Sequence, residues 1–551
     1  MGESAIPTGP RVAASVLRAY DEARAKLVEV RFTGGPTVLS RAGESVLRIA
    51  ERNQVLLESG CRMGLCGVDA VHIVADANAV TPPGPAERET LRRLRLPTGC
   101  RMACMTRVRG AVTIAPIGVD TTRESGAPAI EHAGTTAGAR LVIIGTGVAG
   151  VTAALEAREH APGADITLLG AERYDFYNRM AVHTLVPDAR PASRLSLLPN
   201  DWTRHHRIRR LRGVAGQAID RKRREVWTDD GDRLPYDRLL IATGAQCAVP
   251  AIQGRDKEGI FVLRTIDDAV RLREYIRDHG CRRAVVIGGG LLGLEAASGL
   301  AKMDVRVSVV EAAPWPVPRQ LDATAGNLVG ELMGDLGIKI VPGAVIEALG
   351  GSERIEDVQL SDGRRLKADV VLLATGVEPD VALARSAGLA VNHGVIVDDR
   401  MATSDPDIFA AGDVAAHDGR IIGLWPVGIE QARVAARNMV GGDARYTPVV
   451  PPSRLKVAGL DVLSVGDVNT PPPGAQVIAL HDEGGRRYRK LVVHAGRARA
   501  AILVGYPELE EPVCEAVRQH TDVSRDLGAL ERGDWNSLAI ARPVEQHHRA
   551  V

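Results

Sequence analysis

Two glycine loops constrain this chain more than any other feature. Leu141-Val-Ile-Ile144 runs into Gly145-Thr-Gly147-Val-Ala-Gly150, and Ala284-Val-Val-Ile287 runs into Gly288-Gly-Gly290-Leu-Leu-Gly293. With 58 glycines in 551 residues, luck alone supplies about half a G-x-G-x-x-G match, so a lone one would prove little. Here each match follows an apolar β-run and precedes a helix-forming stretch, Val151 to Glu159 and Leu294 to Lys302. That is the context its mechanism needs. The first glycine permits a tight turn, the second lets the backbone approach a pyrophosphate at the helix N-terminus, and the third lets the helix pack on the strand. Two dinucleotide folds are expected, in a chain long enough for about three to five domains.

The second strand of such a fold should lead to an acid that accepts hydrogen bonds from a ribose. In the second unit Glu311 follows the strand Arg306 to Val310, 18 residues past Gly293, and no Arg or Lys follows until Arg319. A carboxylate there repels a 2′-phosphate, so NADH is favoured over NADPH. In the first unit the strand Ile166 to Leu169 leads to Glu172. Two further repeats, Leu239-Leu-Ile-Ala-Thr243-Gly244 and Val371-Leu-Leu-Ala-Thr-Gly376, read as strand-turn elements whose glycine lets the chain pass close to a cofactor.

Thr403-Ser-Asp-Pro-Asp-Ile-Phe-Ala-Ala-Gly412-Asp413 closes this region, and the five motifs together resemble the FAD- and NAD(P)-dependent pyridine nucleotide reductases. The resemblance implies that the 145–150 loop binds FAD, with Gly412-Asp413 on its ribityl chain, and that the 288–293 loop binds NADH. Tyr177-Asn-Arg179, Arg319-Gln-Leu-Asp322 and Trp425-Pro-Val-Gly-Ile-Glu-Gln are similar to the rubredoxin reductases and to the reductase region of the nitrite reductase large subunit. By that resemblance Arg179 lies along the FAD, Glu295 lies near the nicotinamide, and the helix beginning near Pro426 points its positive end at the flavin. The cysteine pairs of disulfide reductases of this fold are absent, since Cys247, Cys281 and Cys514 stand alone. The tail also lacks the four cysteines of a sirohaem and [4Fe-4S] centre, which argues against direct nitrite reduction.

Nearer the N-terminus, Glu58-Ser-Gly-Cys61-Arg-Met-Gly64-Leu-Cys66-Gly67-Val-Asp69 and Cys100-Arg-Met-Ala-Cys104 resemble plant-type [2Fe-2S] domains, which use C-x4-C-x2-C and a distant fourth cysteine. Asp69 stands where the third cysteine belongs. Either Asp69 ligates through oxygen, or Cys100 replaces it, or the cluster is lost. A zinc site is less natural, because C-x4-C is longer than the usual close zinc pair. Arginines at 92, 93, 95, 101, 107 and 109 surround the segment, as a solvated surface or as a docking face for an acidic partner.

A formal net charge of +1 and 3% aromatics exclude a dedicated nucleic-acid binder. No apolar run is long enough to span a membrane, and the first 25 residues lack a signal-peptide core, so a cytoplasmic protein is expected. The expected fold class is α/β, with two Rossmann-like doubly wound domains between an α+β ferredoxin-like β-grasp domain and a small α+β C-terminal domain. The expected boundaries are an extension 1–26, the [2Fe-2S] domain 27–116, a linker 117–139, FAD-binding parts 140–255 and 381–445, an NADH-binding domain 256–380, and a tail 446–551. The tail resembles the reductase C-terminal domain that helps form the flavin site and a homodimer. A linker of this length spans roughly 25 Å, which keeps cluster and flavin at about millimolar effective concentration. The expected function is electron transfer from NADH through FAD to the [2Fe-2S] cluster, then to a ferredoxin, a cytochrome or an oxygenase component. The alternatives are a redox or NADH sensor that uses the cluster as a switch, and a flavin NADH oxidase with a degenerate ferredoxin domain.

Overall fold

The computed structural model describes residues 27–53, 55, 57, 64, 67, 69–94, 96–117, 138–189, 191–455, 457, 459–482, 484–535 and 538. The N-terminal extension, Cys61, Cys66, Arg95 and nearly all of the expected linker lie outside them. The chain divides into two compact units, Met1–Glu124 with Leu195–Asn200, and Ser125–Arg194 with Asp201–Val551.

The first unit is built on a mixed sheet of β1 (Leu27–Phe32), β2 (Thr37–Arg41), β3 (Ala70–Ala75), β4 (Cys100–Met102) and β5 (Val112–Pro116), in the order β2-β1-β5-β3-β4. A turn through Gly34 closes the β1/β2 hairpin, and β1 lies parallel to β5 in the middle of the sheet. The helix Val46–Arg52 starts where the Ser45 side chain accepts the Arg48 N–H. Its buried residues Val46, Leu47, Ile49 and Ala50 share one core with Val30, Phe32, Val71 and Ile114 of the sheet. This strand order with a helix on one face is a β-grasp.

The second unit contains two parallel five-stranded sheets that share the order of four strands and differ in the edge strand, which comes last in its half in one sheet and first in the other. In one, Ile408–Ala410, Arg238–Ile241, Arg140–Ile144, Asp165–Gly170 and Ile208–Arg212 lie side by side in that order. In the other the order is Ile260–Val262, Val370–Leu373, Arg283–Ile287, Arg306–Val310 and Lys339–Val341. The strand feeding each glycine loop is central, and its apolar run is buried because sheets of this kind are covered on both faces. Each half also carries a three-stranded antiparallel sheet, residues 216–235 and 346–367. The chain passes between the halves through one antiparallel pair, Ala245–Cys247 with Val377–Pro379. The second half is thus an insertion in the first.

The tail forms an antiparallel sheet in the order Ser453–Leu455, Val462–Val465, Arg497–Val504, Tyr488–His494, Gln476–His481. The helix Glu510–Arg518 supplies Val513 and Val517 to a core with Leu463, Leu491, Leu503 and Trp535. Asp322 joins this sheet to the second half. It caps the helix Ala323–Asp335 by accepting the Ala325 N–H at 3.0 Å, and it accepts Tyr488 Oη and Lys490 Nζ, each at 2.9 Å. Among the described residues no helix is long and apolar enough to cross a membrane.

Candidate active site

In each glycine loop the outer glycines and the middle one have different surroundings. A Cβ on Gly145 would sit 2.0 Å from the Ala242 carbonyl oxygen, and one on Gly150 would sit 1.8 Å from the Gly145 oxygen. A Cβ on Gly147 would meet nothing within 4 Å. In the second loop the distances are 2.3 Å from Gly288 to the Ala374 oxygen and 2.0 Å from Gly293 to the Gly288 oxygen, with Gly290 again open. The outer glycines are therefore required by backbone, and the middle one leaves a cradle. Gly147 and Gly290 are the N-caps of helices Val148–His160 and Leu291–Ala301, and neither helix has a capping side chain or an acid in its first turn. Such unsatisfied helix N–H groups suit a pyrophosphate, so both cradles fit the dinucleotides that the motifs imply.

The two ribose acids differ in setting. Glu311 directly follows its strand, and its carboxylate accepts the Gly289 N–H at 2.7 Å and the Ala313 N–H at 2.8 Å. Glu172 lies two residues past Gly170 and is held by side chains, accepting Tyr177 Oη at 2.6 Å and the Arg179 guanidinium. Burial pushes the Tyr177 phenol up, which keeps it a hydrogen-bond donor. Arg179 continues the chain by donating to the Arg264 carbonyl at 3.1 Å, and the Arg264 guanidinium donates to Asp413 at 2.9 Å. Arg264 was missed in the sequence because its partners are 85 and 149 residues away.

The Gly412-Asp413 pair lies against the first loop. A Cβ on Gly412 would meet the Ala149 Cβ at 3.0 Å, and its N–H donates to Gln431 Oε1 at 2.9 Å. Gln431 belongs to the helix Trp425–Met439, whose first turn carries Pro426 and no acid. That helix packs along Val148–His160, and Arg437 binds the buried Glu156 at 2.7 Å. The positive ends of these two helices and Asp413 are thus gathered at one edge of the first sheet. The turns after strands 238–241 and 370–373 are joined reciprocally. The Asp380 N–H donates to the Gly244 oxygen at 2.9 Å and the Ala248 N–H to the Gly376 oxygen at 3.0 Å, while Thr243 Oγ1 donates to the Asp380 oxygen at 2.8 Å.

Glu295 is buried on helix Leu291–Ala301, with Oε2 3.6 Å from His183 Nδ1. His183 comes from the segment Arg179–Leu185 that also carries Arg179, so this segment of the first half meets the helix of the second. Arg273 reinforces the junction by donating to the carbonyls of Leu185 at 3.0 Å and Asp188 at 3.2 Å. His183 and Arg273 gave no sequence signal, since neither falls in a motif.

In the first unit, Asp69 and Cys104 meet. Asp69 Oδ2 accepts the Cys104 N–H at 2.5 Å, and the Asp69 carbonyl accepts the Ala103 N–H at 2.9 Å. Cys104 Sγ accepts the Gly64 N–H at 3.2 Å. A Cβ on Gly64 would come within 2.6 Å of Met105 Cγ, and one on Gly67 within 2.0 Å of Leu94 Cδ1, so the loop needs its small residues. Asp69 is fully buried, which raises its carboxyl, and its Oδ1 has no hydrogen-bond partner among the described residues. An orphaned carboxylate oxygen beside a sulfur that receives an amide fits a thiolate-bound group. Cys100 stands apart. It pairs with His72, three residues beyond Asp69, roughly 10 Å of extended chain. It lines a separate cavity of about 640 Å³ with Pro82, Leu91, Leu96 and Arg109, and burial pushes its thiol up. Among the described residues no three potential metal ligands come together, Cys61 and Cys66 being outside them.

Two parallel sheets, each with a glycine loop and one inserted in the other, define the class of two-dinucleotide α/β folds. Residues 139–437 match the pyridine nucleotide-disulphide oxidoreductase family, and residues 451–521 match the rubredoxin NAD+ reductase C-terminal domain. A nitrite reductase [NAD(P)H] of Bacillus subtilis is 33% identical over 409 residues, 74% of this chain and 49% of that protein, so this chain spans about half the length of that relative. An NADH-rubredoxin oxidoreductase of Clostridium acetobutylicum is 28% identical over 69% of this chain and 94% of its own. The solved covalent complex of putidaredoxin reductase with putidaredoxin superposes with a TM-score of 0.66 at 27% identity, covering 74% of this chain and 99% of that one. The chain belongs to the pyridine nucleotide-disulphide oxidoreductase family and is related to the ferredoxin and rubredoxin reductases.

Proposed function

We propose that this enzyme passes electrons from NADH through FAD to a [2Fe-2S] cluster in its own N-terminal unit, and from there to a one-electron acceptor such as a ferredoxin, a cytochrome or an oxygenase component. Bound FAD would take a hydride from NADH and return electrons singly, the conversion an iron-sulfur carrier requires. The observation that carries the reading is at Cys104, whose sulfur accepts the Gly64 N–H while its own N–H is held by a buried carboxylate. A sulfur that receives an amide is stabilised as a thiolate, the form that binds iron.

Cys61, Cys66 and Cys104 are the thiolates in this reading, and Asp69 Oδ1 is the fourth donor. Cys100 faces another cavity and is left out. A carboxylate in this place favours the oxidised metal, being a harder donor than sulfur. In the second unit, Gly147 and Gly290 admit the pyrophosphates of FAD and NADH. Glu172 and Arg179 hold the flavin adenosine, Asp413 holds the ribityl chain with Arg264 fixing its direction, and Glu311 rejects a 2′-phosphate. Glu295, set against His183 where the two halves meet, orients the nicotinamide. The names of two relatives, NADH-rubredoxin oxidoreductase and putidaredoxin reductase, describe enzymes that serve small electron carriers. Here a counterpart of the carrier would sit on the same chain.

The test is NADH-driven reduction of a one-electron acceptor by the full chain and by Cys104→Ser. The reading predicts that acceptor reduction falls about a hundredfold while bleaching of the flavin by NADH persists. Equal rates in the two proteins would send the electrons directly from flavin to acceptor and leave the N-terminal unit without this role.

A further inference from the structure

The N-terminal unit contains a buried charged pair that no dinucleotide site uses. Glu87, in the first turn of the helix Pro85–Arg93, is 1% exposed. Its carboxylate receives Arg101 Nε at 2.9 Å and Nη2 at 3.0 Å as a two-pronged fork, the Met102 N–H at 2.8 Å and Thr106 Oγ1 at 3.5 Å. Arg101 is 7% exposed and donates its remaining nitrogen, Nη1, to the Thr81 carbonyl. The sequence placed Arg101 in an exposed arginine-rich face, but the structure buries it. Replacing a buried pair by packed apolar side chains is often neutral or stabilising, so stability is a weak reason for its presence.

Its position gives a better reason. β4 is an outer strand of the sheet, so the Met102 N–H points to where no further strand lies, and Glu87 takes that strand's place. Met102 and Thr106 stand two residues before and two after Cys104. The turn between them is closed by the Met105 and Thr106 N–H groups on the Met102 carbonyl. Asp69, whose carboxylate accepts the Cys104 amide, borders the same turn. One fixed negative charge and one fixed positive charge therefore lie, dry, beneath the segment that presents the cysteine.

We propose that Glu87 and Arg101 are positioning residues that set the reduction potential of the redox group on Cys104. The proposal rests on the cluster reading above. Reduction adds negative charge at the cysteines, so a nearby cation left alone makes it easier and a nearby anion left alone makes it harder, and both effects are large where water is excluded. Glu87→Gln keeps the shape and strands the guanidinium, whereas Arg101→Gln strands the carboxylate. A purely structural pair would move the potential in the same direction, or not at all, whichever partner was removed.

The experiment is an EPR-monitored redox titration of the full chain, purified anaerobically, for the wild type, Glu87→Gln and Arg101→Gln. The expected result is a potential raised in Glu87→Gln and lowered in Arg101→Gln, with flavin content and NADH bleaching unchanged. Shifts of the same sign, or none, would overturn the inference. Should either Gln variant lose its iron, Glu87→Asp and Arg101→Lys decide, because they keep both charges and loosen only the fork. Retained iron with an altered EPR line shape supports the positioning role, and a spectrum identical to wild type overturns it. Wild-type protein without iron is a separate failure, visible before any variant is compared, and it removes the cluster reading together with this inference.

Discussion

The two dinucleotide halves share the order of four strands and a loop geometry, yet they treat their second-strand acid differently. Glu311 is fixed by amides of its own loops, those of Gly289 and Ala313. Glu172 is fixed by Tyr177 and Arg179, and through Arg179 it joins a series of contacts that reaches Arg264 and Asp413. One acid is held by amides of its own half, and the other by side chains that lead across the unit. The flavin half should therefore be sensitive to distant substitutions, while the nicotinamide half should respond mainly to changes in its own loop.

The largest effect that sharpens this contrast comes from the third glycines. Gly150→Ala and Gly293→Ala each push a methyl group onto a carbonyl oxygen that cannot move aside. Overpacking of this kind costs about 1 to 3 kcal/mol and displaces the loop. Gly150→Ala should be purified with little FAD, whereas Gly293→Ala should keep its flavin spectrum and lose NADH bleaching. Flavin absorbance per chain, followed by addition of NADH, separates them.

Next is the clamp between the nicotinamide half and the tail. Asp322→Asn keeps a good helix cap but removes the charge facing Lys490, which is 8% exposed. A buried ammonium left without its carboxylate should cost about 2 to 3 kcal/mol, read as a lower unfolding midpoint. Burial acts to raise the Asp322 carboxyl, but the Ala325 N–H, Lys490 and Tyr488 together hold it below the usual range. Its contribution is thus complete above the unfolded value of about 4 and is lost as pH falls through the lower folded value. The gap between wild type and Asp322→Asn should accordingly close at the acid end of a pH series of melts.

The smallest effects concern the acids' partners. Arg179→Ala should weaken FAD binding about tenfold, or about 1.4 kcal/mol, measured by flavin release on dilution. Glu311→Ala should leave FAD in place and reduce the preference for NADH over NADPH about tenfold in kcat/KM. If Glu311→Ala released flavin as readily as Arg179→Ala, the contrast between the halves would be wrong.

What the sequence revealed depended on how local the constraint is. Gly145, Gly150, Gly288 and Gly293 are dictated by backbone a few residues away or by the adjacent strand turn, so spacing read with the flanking strand and helix patterns located them. Asp322 stood out as part of a motif, but its double duty as helix cap and clamp for Lys490, 168 residues later, had no local trace. Arg264, His183 and the Glu87–Arg101 pair were silent for the same reason. Their meaning lies in partners brought close by the fold, and an Arg or His in a helix or turn reads as an ordinary surface group. In the N-terminal unit the small residues at 64 and 67 were legible, and the structure gives them neighbours, Met105 and Leu94, that leave no room for a side chain.

The most direct test is non-haem iron and acid-labile sulfide per FAD in the anaerobically purified 551-residue chain, with an EPR spectrum recorded after NADH is added. The account predicts about two irons and two sulfides per flavin and a reduced-cluster signal that appears with NADH. Flavin that bleaches with NADH in protein containing neither iron nor sulfide would contradict it.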